Sequence, residues 1–591
     1  MDLLRPLLLV LGMMVMATAE EELAKPARPH ILLVVLDDVG RADTGMYGKV
    51  NIPMPNLVNL GKQGTVLENF YTQTVCSPTR SSLMTGQFPF RFGMQHFTTQ
   101  LPGMAAGIPL DTKILPKLLN EVGYDTHMIG KWHCGYATWA HTPHHRGFNS
   151  YMGILQAQGD YYKHNVALFP NAKPLVERVI DGLDFWDNDR PLFAAVGNHS
   201  LDLYNHQVTK VLNTYVRKYS TSVQQQAHPL FVYLAHQTVH IPLQARRDEK
   251  ERCGKISHPV RRVYCDMLVE LDDSLGDLVT QYKTHKLWEN TLVILLTDNG
   301  GMVNFDPKPN GYPNFPASQG SNYPLRGSKT TLFEGGVRSL ALLSGGYLPS
   351  NQIGKRYKGL AHVVDLSATV LGAAGLFPLK RELLKLDGVD LLPLLQNAPG
   401  TSPRTVVPIN LVNKGQSYSA IRFGKYKLIV RHLMFTSAMN WYDSQGDLLE
   451  RGSGSESNTM LLFDLEKDDR ERKNLATQHP ELVQLGLDLM DSYVNGGDYM
   501  EPQQASGIHP EALPLLHGGA WSPFQKEVVW NRNFARQQAR NRIVTGPMDD
   551  QDLEEVQEYV LVAGDNMERA AEQTNIHVRL GQSEPLIAAT S

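Results

Sequence analysis

Four short apolar runs recur at wide intervals along the chain: Ile31 to Leu36, Tyr124 to Ile129, Leu230 to Ala235 and Leu292 to Leu296. Each has the length of a strand, and its hydrophobicity is continuous rather than alternating, the pattern of strands covered on both faces. Helix-like stretches separate them, which predicts an α/β fold with a large, mainly parallel sheet. The clearest helix precedes the fourth run. Val260, Val263, Tyr264, Met267, Leu268, Leu271, Leu275, Leu278 and Val279 repeat at three and four residues, with Asp272, Asp273 and Asp277 off that stripe.

The texture changes after about residue 415. Ser417 to Val430 carries Ala420-Ile421-Arg422-Phe423 and Tyr426-Lys427-Leu428-Ile429-Val430 around Gly424, as a hairpin would, and Leu461 to Leu465 supplies another strand candidate. These features predict a large domain over 28–415 and a small C-terminal α+β domain with an antiparallel sheet over 416–525. Residues 526–591, rich in Gln, Arg and Glu and sparse in apolar residues, predict a peripheral or partly disordered tail.

Composition narrows the partners rather than the fold. With 56 Lys+Arg against 60 Asp+Glu the formal net charge is -4, so the chain lacks the basic surplus of a nucleic-acid binder. An anionic substrate must therefore meet local charge. At the start, Arg5 precedes an apolar run from Pro6 to Met16, and Ala17-Thr18-Ala19 offers small residues for cleavage. Residues 1–19 thus predict a secretory signal peptide and a mature chain without a transmembrane anchor. Of the four cysteines, Cys253 and Cys265 stand close enough in sequence to pair, leaving Cys76 and Cys134. Asn198-His199-Ser200 is a candidate glycosylation site.

Chemistry gathers just past the apolar runs, where open α/β sheets bind ligands. The first run ends in Asp37-Asp38, the second in Lys131-Trp132-His133, the third leads to His236 and His240, and the fourth ends in Asp298-Asn299. Taken singly each is an ordinary turn or solvated face; four together point to one site. Asp37, Asp38, Asp298 and Asn299 offer only oxygen atoms. That donor set suits calcium first and magnesium second, and suits zinc less, whose sites favour His and Cys. The segment Thr74 to Gly86 reads as a strand end followed by a helix entered near Pro78, placing Cys76 at a helix N-terminus with Arg80 in the first turn. Such an end attracts an anion. Spacing alone leaves a structural buried thiol equally open.

Cys76-Ser77-Pro78-Thr79-Arg80 is identical to the C-S-P-T-R signature of the formylglycine-dependent sulfatases. Further segments resemble that family in its order: Leu36 to Gly40, Gly130 to His133, Arg146 to Phe148, Gln237 to Gln244, Thr297 to Gly301, Arg326 to Lys329 and Glu334 to Arg338. The resemblance covers roughly residues 28 to 525. In wording, Gly159-Asp160-Tyr161-Tyr162 and Gln237 to Gln244 are most similar to the arylsulfatase B branch. The resemblance implies an alkaline-phosphatase-like fold, with 28–415 the catalytic domain, and hydrolysis of sulfate esters. Its nucleophile would be formylglycine, made from Cys76 by the formylglycine-generating enzyme in the secretory pathway. It implies calcium ligation by Asp37, Asp38, Cys76, Asp298 and Asn299. Catalytic roles fall to Arg80, Lys131, His133, His240 and Lys329, with Lys131, His240 and Lys329 also binding substrate. The substrate implied is N-acetylgalactosamine 4-sulfate or another sulfated glycan, met in a lysosome or outside the cell. Most disulfide cysteines of the mammalian branch members have no counterpart here, and Cys134 stands unusually beside His133.

Overall fold

The structure, a computed structural model, describes residues 28–47, 52–95, 102–168, 180–304, 318–377, 379–393, 402–412, 414–415, 417–430, 440–452, 460–503 and 508–525. The expected signal peptide and the 526–591 tail lie outside the described residues.

Ten strands form the large sheet, in the order β12 (Lys355–His362), β2 (Thr65–Tyr71), β11 (Ala341–Ser344), β10 (Thr291–Thr297), β1 (His30–Leu36), β9 (Leu230–Ala235), β3 (Asp125–Gly130), β4 (Ser150–Gly153), β7 (Trp186–Asp187) and β8 (Arg190–Pro191). The four apolar runs are β1, β3, β9 and β10, adjacent at the centre and mutually parallel. Every residue of β1, β9 and β10 is buried, which is why their sequences do not alternate. β11 runs antiparallel to its neighbours, as do β7 and β8, so the sheet is mixed.

The predicted amphipathic helix is Pro259–Thr284, and it packs on the helices Pro55–Lys62 and Ser200–Lys218. Asp272, off the apolar stripe, is nonetheless buried. Its Oδ1 accepts from Leu57 N at 2.8 Å and its Oδ2 from Asn56 N at 3.0 Å, satisfying first-turn donors of the helix that begins at Pro55. Cys253 and Cys265 form a disulfide with Cα atoms 6.0 Å apart, joining the short helix Lys250–Cys253 to the long one.

The smaller antiparallel sheet has the order β13 (Val406–Val412), β14 (Ser417–Phe423), β15 (Tyr426–Val430), β18 (Leu461–Asp464), and the helix Pro480–Asn495 packs on it. Its first strand comes from before residue 416. Two small hairpins complete the strands, β5 (Asn165–Leu168) with β6 (Ile180–Leu183), and β16 (Trp441–Tyr442) with β17 (Leu448–Glu450). Residues 508–525 return to the large domain, where Ala520 bridges Leu183 and Trp521 Nε1 donates to Val166 O at 2.9 Å. Among the described residues no helix is long and apolar enough to cross a membrane.

Candidate active site

Because β10, β1, β9 and β3 are consecutive and parallel, the residues that follow them emerge side by side at one sheet edge. Backbone bonds fix those ends together. Asp298 N donates to Leu36 O (3.1 Å), Asp37 N to Thr238 O (3.1 Å), Val239 N to Asp37 O (2.7 Å) and Lys131 N to Ala235 O (2.8 Å). Gly130, at φ 103°, permits the last of these, since a Cβ there would lie 1.9 Å from Ala235 O. Asp38 and His133 adopt left-handed backbone angles, φ 58° and 52°, conformations that cost a side-chain-bearing residue on the order of 1 kcal/mol. Both are among the expected site residues.

The side chains interlock. Lys131 Nζ donates to Asp37 Oδ2 at 2.6 Å, and Lys329 Nζ stands 2.6 Å from Asp38 Oδ1. Arg80 Nε donates to Asp298 Oδ2 at 2.9 Å and its Nη1 to Lys131 O at 3.0 Å, with Nη2 3.6 Å from Asp37. Asn299 Nδ2 donates to Asp38 Oδ1 at 2.8 Å, and His240 Nε2 lies 3.8 Å from Asp38 Oδ2. All these residues are buried.

The helix Cys76–Thr85 presents its first residue to this cluster. Val75, at the N-cap position, has no side chain able to accept the first-turn N-H groups, so that end stays polar and positive. Gly86, at φ 67°, closes the other end with its N-H on Ser82 O. Cys76 Sγ, an Asp37 oxygen and a His240 ring nitrogen lie within 4.8 Å of one another. The contacts above tie nine of the ten expected site positions into one set; the tenth, His133, follows Lys131 on the same loop and lines a cavity of about 10 Å³ with Gln156.

Three buried oxygens, Asp37 Oδ1, Asp298 Oδ1 and Asn299 Oδ1, have no hydrogen-bond donor among the described residues. One ligand oxygen each from Asp37, Asp38 and Asp298 lies within 4.8 Å of the others. Three carboxylates and an amide oxygen, with bare acceptors, fit a hard cation. Electrostatics agrees. Burial and the charge of Asp37 push Asp298 up to about 7, with Arg80 and Lys131 opposing. Asp37 is penalised by burial, yet Lys131, His240, Arg80 and Lys329 hold it below the ordinary carboxylate range. Burial raises the Cys76 thiol despite Lys131 and Lys329, so a bare thiol there stays protonated. Burial, then Lys329, lowers His240 to about 4.

Sequence reasoning missed the residues that hold these groups in place. Tyr264, read only as part of an apolar stripe, brings its hydroxyl to 3.1 Å from Asp38 O and 2.9 Å from Asp43 Oδ2, and Arg261 pairs with Asp43 at 2.7 Å. Gln244 Nε2 donates to Asp160 Oδ2 at 2.8 Å, bringing together two segments that the sequence flagged separately. Both amide atoms of buried Gln156 lack partners, a feature with no signal in the sequence. His236 is buried and likewise without partners for its ring nitrogens, so it stays apart from the polar network. Asn198 is exposed, as a glycan acceptor must be. Cys134 is a buried free thiol, pushed up to about 12 by burial.

A cation-suited carboxylate set beside an anion-attracting helix end defines a hydrolase of anionic esters. The profile of the Sulfatase family matches residues 29–376. Arylsulfatase J of Mus musculus is 30% identical over 534 residues, covering 85% of this chain and 81% of that protein. Arylsulfatase A of Homo sapiens is 31% identical over 510 residues, covering 84% and 94%. N-acetylgalactosamine-6-sulfatase of Sus scrofa is 31% identical over 412 residues, covering 68% and 72%. Among solved structures, Ps i-CgsB in complex with k-i-k-neocarrahexaose superposes with a TM-score of 0.63 at 26% identity, covering 80% of this chain and 94% of that one. The PsFucS1 sulfatase from Pseudoalteromonas sp. shares the fold, with a TM-score of 0.60 at 23% identity and coverage of 83% and 94%. The chain belongs to the sulfatase family, and is a sulfuric ester hydrolase with that family's alkaline-phosphatase-like fold.

Proposed function

We propose that this enzyme desulfates a glycan, with formylglycine at position 76 as nucleophile and calcium as its metal. The observation that carries the reading is the placement of Cys76 on a helix N-terminus within 4.8 Å of Asp37 and His240 ligand atoms. A buried, protonated thiol is a poor nucleophile, which supports an oxidised form. Asp37, Asp38, Asp298, Asn299 and the side chain at 76 would hold the metal, which when bound supplies Lewis-acid charge at the sulfuryl oxygens. Formylglycine supplies, as its hydrate, one hydroxyl to attack sulfur and a second whose deprotonation lets sulfate leave.

The chain's own groups do the rest. Arg80, fixed between Asp298 and Lys131 O, holds positive charge beside position 76 and favours an oxyanion there. Lys131 and Lys329 stabilise charge on the sulfuryl group. His240 gives a proton to the departing alcohol oxygen; an arriving sulfate anion favours its cationic form over the neutral form of the free site. His133 takes the proton of the second hydroxyl. The substrate class rests on the sulfated-sugar name of one relative and the carrageenan oligosaccharide in one similar structure. N-acetylgalactosamine 4-sulfate is the first substrate to try, in the lysosome or outside the cell. Maturation by the formylglycine-generating enzyme requires entry into the secretory pathway.

Mass spectrometry of the peptide containing position 76, from protein secreted by a eukaryotic host, tests the nucleophile. Formylglycine is expected; an unmodified thiol, in a host that modifies a control sulfatase, overturns the mechanism. Turnover of 4-nitrocatechol sulfate but not the matching phosphate then separates sulfatase from phosphatase chemistry.

A further inference from the structure

Three potential metal ligands converge at the outer edge of the large sheet. His144 and His145 lie in the single turn Pro143–Arg146, and Asp189 lies in the tight turn between β7 and β8. His144 Nδ1 is 3.1 Å from Asp189 Oδ2, and His145 Nε2 is 3.2 Å from the same oxygen. A ligand atom from each of the three lies within 4.8 Å of the other two. For metal–ligand bonds near 2.0 Å, the edge of a tetrahedron is about 3.3 Å, so two of the three edges already have the length that zinc requires.

The two turns are held independently of this contact. His145 N donates to Thr142 O at 3.1 Å, and Gly147 ends the turn at φ 106°. Across from it, Asn188 N donates to Tyr151 O at 2.8 Å and Asn188 Oδ1 accepts from Tyr151 N at 2.9 Å. The ligands are therefore preorganised by backbone, which lowers the cost of binding an ion. Both histidines and Asp189 are 37% to 43% exposed, so an ion can reach them from solvent. Nothing in the proposed catalytic chemistry uses them.

We propose that His144, His145 and Asp189 form a zinc site, separate from the calcium-suited cluster, with water or an external ligand as fourth donor. Two imidazoles and one carboxylate are borderline donors that favour zinc over calcium, the reverse of the all-oxygen set at Asp37 and Asp298. Bound zinc would clip the Pro143–Arg146 turn to the β7–β8 turn and stabilise the sheet edge.

Equilibrium dialysis of calcium-saturated enzyme against micromolar zinc tests this, comparing the wild type with His144→Ala and Asp189→Asn. The wild type is expected to hold one more zinc per chain than either variant, and zinc is expected to raise its melting temperature but not theirs. Turnover of an aryl sulfate by the variants is expected to match the wild type, so the outcome is independent of the catalytic reading. Equal zinc content in all three proteins overturns the site, as does a zinc-induced melting shift that both variants retain.

Discussion

Among the buried charges of the described residues, two clusters are finished differently. At the seam between the two sheets, Lys427 Nζ stands 3.0 Å from Glu334 Oε1 and 2.8 Å from Glu471 Oε1. Tyr71 donates to Glu334 Oε2 at 2.8 Å, and Glu334 N donates to Glu471 Oε2 at 2.7 Å. Every carboxylate oxygen there lies within 3.0 Å of a cation or a donor, Glu471 Oε1 meeting Lys427 by charge without a hydrogen bond. At the sheet edge, by contrast, Asp37 and Asp298 each turn one oxygen to a cation and leave the other without a partner among the described residues, and Asn299 gives its Nδ2 to Asp38 while its Oδ1 stays bare. Buried polar groups without partners cost free energy. A cluster that is closed serves the fold, whereas one left open on a single side is kept for something that arrives.

Two lysines make that contrast measurable. Lys427→Met leaves two carboxylates buried without their shared cation, and breaking a buried ion pair from one side typically costs about 3–5 kcal/mol. Urea unfolding should show that loss, while kcat of the folded fraction stays near wild type. Lys329→Met should do the reverse. Loss of one preorganised charge at the reacting centre typically costs about 10² to 10³ in rate, and calcium-loaded protein should unfold close to the wild-type midpoint. If Lys427→Met chiefly lowered kcat, the division between the two clusters would collapse.

Calcium should separate them further. An ion bound only by the folded state stabilises it by about 2.7 kcal/mol at 100 times its Kd. Chelation should therefore lower the melting temperature of the wild type and of Lys427→Met by similar amounts. Asp298→Asn, with a ligand weakened, should lose most of that calcium response. A calcium shift preserved in Asp298→Asn would place the ion elsewhere.

The open cluster was the more legible of the two in the sequence. Its members follow strands whose apolar runs are unmistakable, and a buried parallel strand must end in its ligand edge, so Asp37, Lys131, His240 and Asp298 are found by their position after a pattern. Cys76 and Arg80 came from one contiguous motif. The closed cluster had no such flag. Lys427 is the second residue of β15, a charged position no sequence pattern singled out, yet it is fully buried because Glu334 and Glu471 reach it from distant segments. Asp272, Tyr264 and Arg261 were obscured for the same reason: their partners lie in other parts of the chain, and periodicity reports which face is buried but not what a buried polar group meets.

The smallest effect expected is also the one that titrates. Burial and the charge of Glu334 push Glu471 up to about 7 against the pull of Lys427. Glu334, although penalised by burial, is drawn down to about 2 by Lys427, Arg338 and Arg422. The raised group contributes stability that is complete below its unfolded value, 4.5, and is lost as pH climbs toward 7. The lowered group contributes stability present above 4.5 and lost as pH falls toward 2. Between them the pair holds one proton and one charge against Lys427, so the seam is most stable in mildly acidic solution. Unfolding free energy measured from pH 4.5 to 7 should decline, this pair contributing part of the fall. Glu471→Gln, which cannot ionise, should make that part of the profile shallower, with the raised Asp184 still titrating in the same window, and leave the calcium response untouched. A decline of the same size in the variant would assign the pH dependence to groups other than the seam.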